Sequence, residues 1–154
     1  MGLEIERKFL LKNSDWRKLV EEENLIKQGY LNSNAERTVR VRVKNSTAYL
    51  TIKGKSQNTV RQEFEYEIPL ADAESMLKLC ESPRIEKTRF IVNYEGKTWE
   101  IDEFEGENKG LAVAEIELTS EDESFDLPDW IGEEVSQDAR YFNSSLIKKP
   151  FSSW

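Results

Sequence analysis

Two carboxylates and an ammonium group alternate near the start of the chain, in the run Glu4-Ile5-Glu6-Arg7-Lys8. Successive side chains of a β-strand point to opposite faces, so Glu4, Glu6 and Lys8 would share one face of a strand. Carboxylate oxygens are the ligands that Mg²⁺ and Mn²⁺ prefer, and an ammonium group attracts phosphate. The run therefore indicates a strand face that binds a divalent metal ion beside a phosphate group.

The same two-residue alternation recurs in six later segments, each with charged side chains on one face and mostly apolar side chains on the other. With residues 3–10, the predicted strands are residues 38–44, 48–53, 61–68, 86–93, 99–104 and 110–118. Helices are predicted at residues 14–24, 70–80, 129–135 and 138–147. No repeat or Pro/Gly-rich linker divides the 154 residues, so we predict one domain over residues 1–154.

The charges on the polar faces are sorted by strand. Acidic residues occupy the fourth, sixth and seventh predicted strands, basic residues occupy the second and fifth, and the first carries both. The acidic set is Glu4, Glu6, Glu63, Glu65, Glu67, Glu100, Asp102, Glu115 and Glu117. The basic set is Lys8, Arg40, Arg42, Lys53, Lys87 and Arg89. Like charges at alternate positions of one strand repel each other and need a compensating partner.

Two arrangements supply that partner. Neighbouring strands of opposite sign can neutralise each other across an open, wet sheet, which is the ordinary explanation for any single charged residue. Alternatively the sheet closes and the charges face a common interior. Burying so many ions costs several kcal/mol per ion, so such an interior must hold water or ligands of its own charge pattern. A divalent cation suits the carboxylates, and a polyphosphate suits the arginines, whose planar fork engages phosphate oxygens in pairs.

The composition excludes several classes of function. The chain has no histidine, which removes Ser-His-Asp and Cys-His catalysis and zinc sites built on imidazole. A net charge of −8 argues against nucleic acid or an anionic membrane as a partner. A single cysteine, Cys80, forms no internal disulfide. The sequence has no apolar run of membrane-spanning length and no signal-peptide pattern, so we expect a cytoplasmic protein, and a homodimer is left open.

Taken together, the motifs resemble those of the CYTH superfamily, also called triphosphate tunnel metalloenzymes. The run from Glu4 to Lys8 fits the family's E-x-E-x-K signature. The later motifs follow in the family's order: Gln28-Gly29-Tyr30-Leu31, Thr38-Val39-Arg40-Val41-Arg42, Leu50-Thr51-Ile52-Lys53-Gly54, Glu63-Phe64-Glu65-Tyr66-Glu67-Ile68, Lys87-Thr88-Arg89, Trp99-Glu100-Ile101-Asp102-Glu103-Phe104 and Ala114-Glu115-Ile116-Glu117-Leu118.

The resemblance implies a fold. We expect an α+β, mainly β, structure: a closed eight-stranded antiparallel β-barrel tunnel with short helices packed outside and a C-terminal helix at one mouth. The eighth strand would be residues 27–31.

The resemblance also implies roles for individual residues. Expected metal ligands are Glu4, Glu6, Glu115 and Glu117. Expected triphosphate-binding residues are Lys8, Arg40, Arg42, Lys53, Lys87, Arg89 and Arg140. The expected catalytic set is Glu4, Glu6, Lys8, Glu63, Glu65 and Lys87, in which Glu63 and Glu65 bind a second metal ion or orient water. Glu67, Glu100 and Asp102 are equally consistent with structural ion pairs that hold the arginines.

The function that this resemblance implies is metal-dependent hydrolysis of inorganic tripolyphosphate to diphosphate and phosphate, with Mg²⁺ or Mn²⁺ as cofactor. Three alternatives stay open at this point. One is another enzyme of the same fold, a class IV adenylate cyclase or a thiamine or nucleoside triphosphatase. The second is a non-catalytic polyphosphate-binding module, and the third is a structural β-sheet protein with ordinary surface charges.

Overall fold

Nine strands form one antiparallel sheet in the computed structural model, which describes residues 2–81 and 83–154. The strands are β1 (Gly2–Leu11), β2 (Val20–Asn32), β3 (Arg37–Lys44), β4 (Thr47–Gly54), β5 (Val60–Ile68), β6 (Ile85–Tyr94), β7 (Lys97–Phe104), β8 (Ala112–Glu117) and β9 (Ile131–Glu134). The helices are α1 (Leu70–Leu79) and the single-turn α2 (Asn143–Leu146). None of the helices in the described part of the chain is long and apolar enough to cross a membrane.

The sheet closes into a barrel because β1 divides its pairing between two neighbours. Its first residues, from Gly2 to Ile5, pair with β5, and the stretch from Glu6 to Leu10 pairs with β8. The remaining neighbours run in the order β5-β4-β3-β2-β6-β7-β8, so eight strands complete the circle. The ninth strand, β9, lies beside the end of β1 at Phe9 and Leu11. The predicted closed eight-stranded antiparallel barrel is confirmed, with one strand added.

The predicted helix at residues 14–24 is wrong. A short 3₁₀ turn, Asp15–Leu19, buries Trp16 against Phe90, and the chain then enters β2 at Val20. Pairing with β6 and β3 satisfies the backbone of this segment, which overrides the helix start suggested by Ser14. The strand predicted at residues 27–31 exists as the second half of β2.

The C-terminal third also differs from the prediction. Residues 129–135 form no helix: β9 lies there, and Gly132 allows its backbone to approach the carbonyl oxygen of Leu10. The helix predicted at residues 138–147 is shortened to α2, which follows a 3₁₀ turn, Ala139–Tyr141. The helix predicted at residues 70–80 is confirmed as α1.

The two ends of the barrel interior differ in polarity. At one end the inward side chains are apolar. They pack in one buried cluster against residues of the C-terminal segment, residues 135–154. Its members include Tyr30, Ile85, Phe104 and Val113 from the strands and Tyr141, Leu146 and Ile147 from the C-terminal segment. The C-terminal segment therefore closes this end, and the charged half of the lumen remains beyond it.

Close packing of α1 on the barrel makes Gly29 of β2 sensitive to substitution. A Cβ atom at this position would lie 2.8 Å from the Cβ atom of Cys80 and 3.0 Å from its Sγ atom. We predict that Gly29→Ala lowers the free energy of unfolding by about 1–3 kcal/mol, the usual cost of overpacking, measured by urea unfolding. The matched control is Gly54→Ala, whose Cβ atom would meet only Gln62 at 3.6 Å. Equal stability of the two variants would contradict this prediction.

Candidate active site in the barrel lumen

The charged half of the lumen encloses a cavity of about 170 Å³. Every described side chain that lines it is polar, with seven acidic and four basic groups. The lining residues are Glu4, Glu6, Arg40, Arg42, Lys53, Glu63, Glu65, Arg89, Glu100, Glu115, Glu117 and Asn143. The structure thus brings together most of the site residues predicted from the sequence.

Strand register explains how these side chains meet. Directly opposed residues of antiparallel strands lie on the same face with their Cβ atoms about 5 Å apart. Glu6 is opposite Glu117, and Lys8 is opposite Glu115, across the pairing of β1 with β8. Two ends of the sequence therefore supply one cluster of carboxylates, because the first strand is the neighbour of the eighth.

On the acidic side of the lumen, Glu6 and Glu115 have pKa values shifted in opposite directions. Burial raises the pKa of Glu6 well above its ordinary value, and the neighbouring carboxylates of Glu115 and Glu4 raise it further. Burial also opposes ionisation of Glu115, but Lys8 and Arg89 outweigh it and lower the pKa of Glu115. Together these shifts favour the neutral form of Glu6 beside the charged form of Glu115.

The remaining acids of this side fall into two groups. Burial would raise the pKa of Glu4, but Lys53 and Arg61 lower it overall, with Lys53 Nζ 3.0 Å and Arg61 Nε 3.3 Å from Glu4 Oε1. Burial raises the pKa of Glu63 and of Glu117, and for both the negative charge of Glu4 raises it further. The acidic side therefore carries more negative charge than its cationic neighbours compensate.

The donor set fits a hard divalent cation. Within residues 2–81 and 83–154, no three acidic or cysteine side chains already surround one point at which a metal ion would bind. The chemistry of the set nevertheless suits one, because carboxyl oxygen atoms crowd together, and burial with the charges of Glu115 and Glu4 disfavours the charged form of Glu6. A divalent ion would therefore compete with the proton that the raised pKa favours on Glu6.

The opposite side of the lumen is crowded with guanidinium groups. Burial, together with the positive charges of Arg40 and Arg89, lowers the pKa of Arg42 to about 10. Arg40 and Arg42 share one acceptor, because Glu65 Oε2 lies 3.4 Å from an Nη2 atom of each. The buried Nε atoms of Arg40 and Arg42 have no hydrogen-bond partner among the described residues. An anion with several oxygen atoms would supply the missing acceptors and the missing charge.

Asp102, Lys87 and Arg89 form a buried ion triad next to these guanidinium groups. Asp102 accepts from Arg89 Nε at 2.8 Å and from Arg89 Nη2 at 2.9 Å, and its Oδ2 atom lies 2.8 Å from Lys87 Nζ. Asp102, whose role the sequence left open, is therefore the structural partner that orients Arg89. Lys87 has a side chain only 1% exposed, and burial lowers its pKa to about 8. It lies behind the cavity lining instead of within it.

Glu100 and Glu67 are the other two residues whose role the sequence left undecided, and they lie in different places in the structure. Glu100 lines the cavity, and its Oε1 atom lies 3.3 Å from Arg89 Nη1. Glu67 is exposed and lies opposite Tyr49 near the end of β5, outside that lining. Only Glu100 is therefore placed to influence a ligand in the lumen.

The two remaining predicted residues are Lys8 and Arg140. Lys8 is buried between the lumen and the C-terminal segment, where its Nζ atom donates to the carbonyl oxygen of Tyr141 at 3.0 Å. Arg140 does not reach the lumen. Its side chain is 63% exposed and lies over the ring of Trp154. Asp138 holds it there by accepting hydrogen bonds from both the backbone N–H and the guanidinium of Arg140, which lies 2.7 Å away.

Two residues of the site were missed by sequence reasoning: Arg61, which contacts Glu4, and Asn143, which lines the cavity. Arg61 follows the alternation of β5 and lies opposite Glu4, so the period-two pattern was a signal that could have found it. Asn143 enters the lumen from the C-terminal segment. No pattern marked it, since the placement of that segment depends on long-range packing.

The model of the CYTH domain family matches residues 2–151. The chain belongs to the CYTH domain family. This CYTH chain is 49% identical over 155 residues to an inorganic triphosphatase of Acetivibrio thermocellus, an alignment covering 100% of this chain and 99% of the relative. It is 35% identical over 147 residues to an inorganic triphosphatase of Nitrosomonas europaea, covering 93% and 95%. A crystal structure of an inorganic triphosphatase superposes on the CYTH chain with a TM-score of 0.67 at 33% identity, covering 93% of this chain and 96% of that chain.

Proposed function

We propose that this CYTH protein hydrolyses inorganic tripolyphosphate to diphosphate and phosphate inside the barrel, with Mg²⁺ or Mn²⁺ as cofactor. One observation carries the proposal: three guanidinium groups line one side of a polar cavity, and a cluster of carboxyl groups lines the other side. The two full-length relatives are inorganic triphosphatases, which supports the same reaction here.

The basic side of the lumen binds the phosphate chain. Arg40, Arg42 and Arg89 donate to phosphate oxygens, and each guanidinium can donate two parallel hydrogen bonds. Lys53, which is held against Glu4 and Glu63, extends the positive surface toward the acidic side. Binding an anion here relieves the mutual repulsion that lowers the pKa of Arg42.

The acidic side would hold the metal ion, with ligands drawn from Glu4, Glu6, Glu115 and Glu117. A bound divalent ion would neutralise charge on the phosphates and polarise a phosphoryl oxygen. Lys53 and Arg61 hold Glu4 in place, and Lys8 and Arg89 keep Glu115 ionised.

Hydrolysis itself asks the protein mainly for positioning and charge compensation. Water attacks the terminal phosphorus atom, a new P–O bond forms as the bond to the diphosphate oxygen breaks, and a proton of the water is released to solvent. The arginines stabilise the negative charge on the equatorial and leaving oxygens. Of Glu63 and Glu65, Glu63 is the better candidate to orient this water. Glu65 already accepts hydrogen bonds from Thr51 at 2.7 Å and from Arg40 and Arg42.

The alternatives of the same fold need a binding site for an organic group. A cyclase or a thiamine or nucleoside triphosphatase must accommodate a base or a thiamine ring, which aromatic and apolar side chains usually hold. None of the described side chains that line the cavity is aromatic or apolar. This observation favours an inorganic substrate over those alternatives. The cytoplasmic location and the homodimer stay predictions.

Removal of the metal ion provides the test of this function. We predict that the protein releases phosphate from tripolyphosphate with Mg²⁺ or Mn²⁺, that excess EDTA reduces the rate to background, and that added metal restores it. Tripolyphosphate with metal should also raise the melting temperature, since a ligand at 100 times its dissociation constant adds about 2.7 kcal/mol. ATP and thiamine triphosphate serve as comparison substrates. Cyclic AMP as the main product from ATP, or binding of tripolyphosphate without turnover, would overturn the proposal.

A further inference from the structure

Asn143 is the one described residue of the C-terminal segment that lines the lumen cavity. It is the first residue of α2, and it lies where the charged half of the lumen meets the apolar end that this segment closes. A phosphate chain that enters the lumen and extends toward the closed end would meet this side chain. The residue has no acidic or basic group, unlike all the other side chains of the lining.

The orientation of the Asn143 amide follows from its neighbour. Lys87 Nζ lies 3.4 Å from the amide and 2.8 Å from Asp102 Oδ2. An ammonium group only donates hydrogen bonds, so the amide atom that faces Lys87 must be the oxygen, Oδ1. The Nδ2 group, with its two N–H donors, lies on the other arm of the planar amide, away from Lys87.

A neutral donor suits this position better than another cation. The guanidinium groups of Arg40, Arg42 and Arg89 already repel one another, and this repulsion lowers the pKa of Arg42. A further positive charge beside these three groups would increase that repulsion. An amide adds two donors for oxygen atoms without adding charge.

We propose that Asn143 is a substrate-contacting residue whose Nδ2 group donates to an oxygen of the innermost phosphoryl group, and that Lys87 is the positioning residue that orients its amide. The proposal rests on the proposed function, since it names the contact at the closed end of the same site. Lys87 contacts both Asp102 and the Asn143 amide, so it is placed to hold that amide in position.

Asn143→Asp is the sharpest test, because it keeps the shape of the side chain and its acceptor for Lys87 but replaces the donor with a negative charge. We expect kcat/KM for tripolyphosphate to fall about 100-fold for Asn143→Asp and about 10-fold for Asn143→Ala, the range for losing a hydrogen bond to a charged group. The matched control Asn34→Asp adds the same charge at an exposed turn outside the lumen and should retain wild-type kcat/KM. Melting temperatures of all variants should match that of the wild type.

The role of Lys87 is tested by a double-mutant cycle on kcat/KM. If Lys87 acts through Asn143, then Lys87→Met costs less in the Asn143→Ala background than in the wild type. Additive effects would overturn the positioning role. Wild-type kcat/KM in Asn143→Asp, or a loss matched by a lower melting temperature in both Asn143 variants, would overturn the contact.

Failure of the proposed function would be visible separately, as a wild-type protein that does not hydrolyse tripolyphosphate. In that case calorimetric titration with tripolyphosphate still decides the contact. Weaker binding by Asn143→Asp than by Asn34→Asp would support it, and equal or absent binding would overturn it.

Discussion

Glu6→Gln is expected to reduce metal-dependent hydrolysis of tripolyphosphate by on the order of 10²- to 10³-fold, without lowering the stability of the fold. The amide keeps the size of the side chain, but it is a much poorer ligand for a divalent ion. Burial together with Glu115 and Glu4 disfavours the charged form of Glu6, so a neutral side chain should be tolerated or even stabilising. Phosphate release measures the expected loss of activity, and thermal unfolding of the same preparation measures the expected retention of stability.

Glu74→Gln is the matched control for this substitution. Glu74 is exposed on α1, outside the barrel, and the same chemical change there should leave both turnover and melting temperature unchanged. Unchanged metal-dependent turnover in Glu6→Gln would remove Glu6 from the metal site. A large loss of stability in that variant would show instead that Glu6 has a structural role.

The second large effect is expected on stability. Asp102→Ala should lower the free energy of unfolding by about 3–5 kcal/mol, because it leaves Lys87 and Arg89 as buried cations without their shared partner. The same variant should lose activity, since Arg89 is no longer oriented toward the lumen. Asp138→Ala breaks an exposed pair with Arg140 and should cost far less stability. Urea unfolding of the two variants measures the difference.

The stability lost in Asp102→Ala should depend on pH in a defined direction. Burial alone would raise the pKa of Asp102, but Arg89 and Lys87 outweigh it and lower the pKa below its ordinary value. The stabilisation is therefore fully present above the pKa of an unfolded aspartate, about 3.9, and is lost as the pH falls through the lower folded value. The difference in free energy of unfolding between wild type and Asp102→Ala should be largest near pH 7 and should decrease below about pH 4. A gap that stays constant from pH 7 to pH 3 would contradict this account.

Some elements were predictable because their signal is local. The period-two alternation placed Glu4, Glu6, Arg40 and Arg42 on the inner face, and the structure confirms the shared cavity. The helix at residues 70–80 was found because Pro69 and the spacing of apolar residues mark it locally. The helix predicted at residues 14–24 was wrong because the pairing of β2 with β6, about 65 residues apart in sequence, outweighed a local N-cap signal.

The sequence by itself determined which side chains share a face, since alternate residues of a strand always do, and hence that sorted charges would meet if the sheet closed. Only the tertiary structure decided the closure through β1, the depth of each residue along the barrel and the path of the C-terminal segment. Arg89 and Lys87 have the same alternation, yet one lines the cavity and the other lies behind it. Depth follows from strand register and from what packs at each end, and these depend on contacts between distant parts of the chain. That is why Asn143, carried into the lumen by the folded C-terminal segment, had no signal in the sequence.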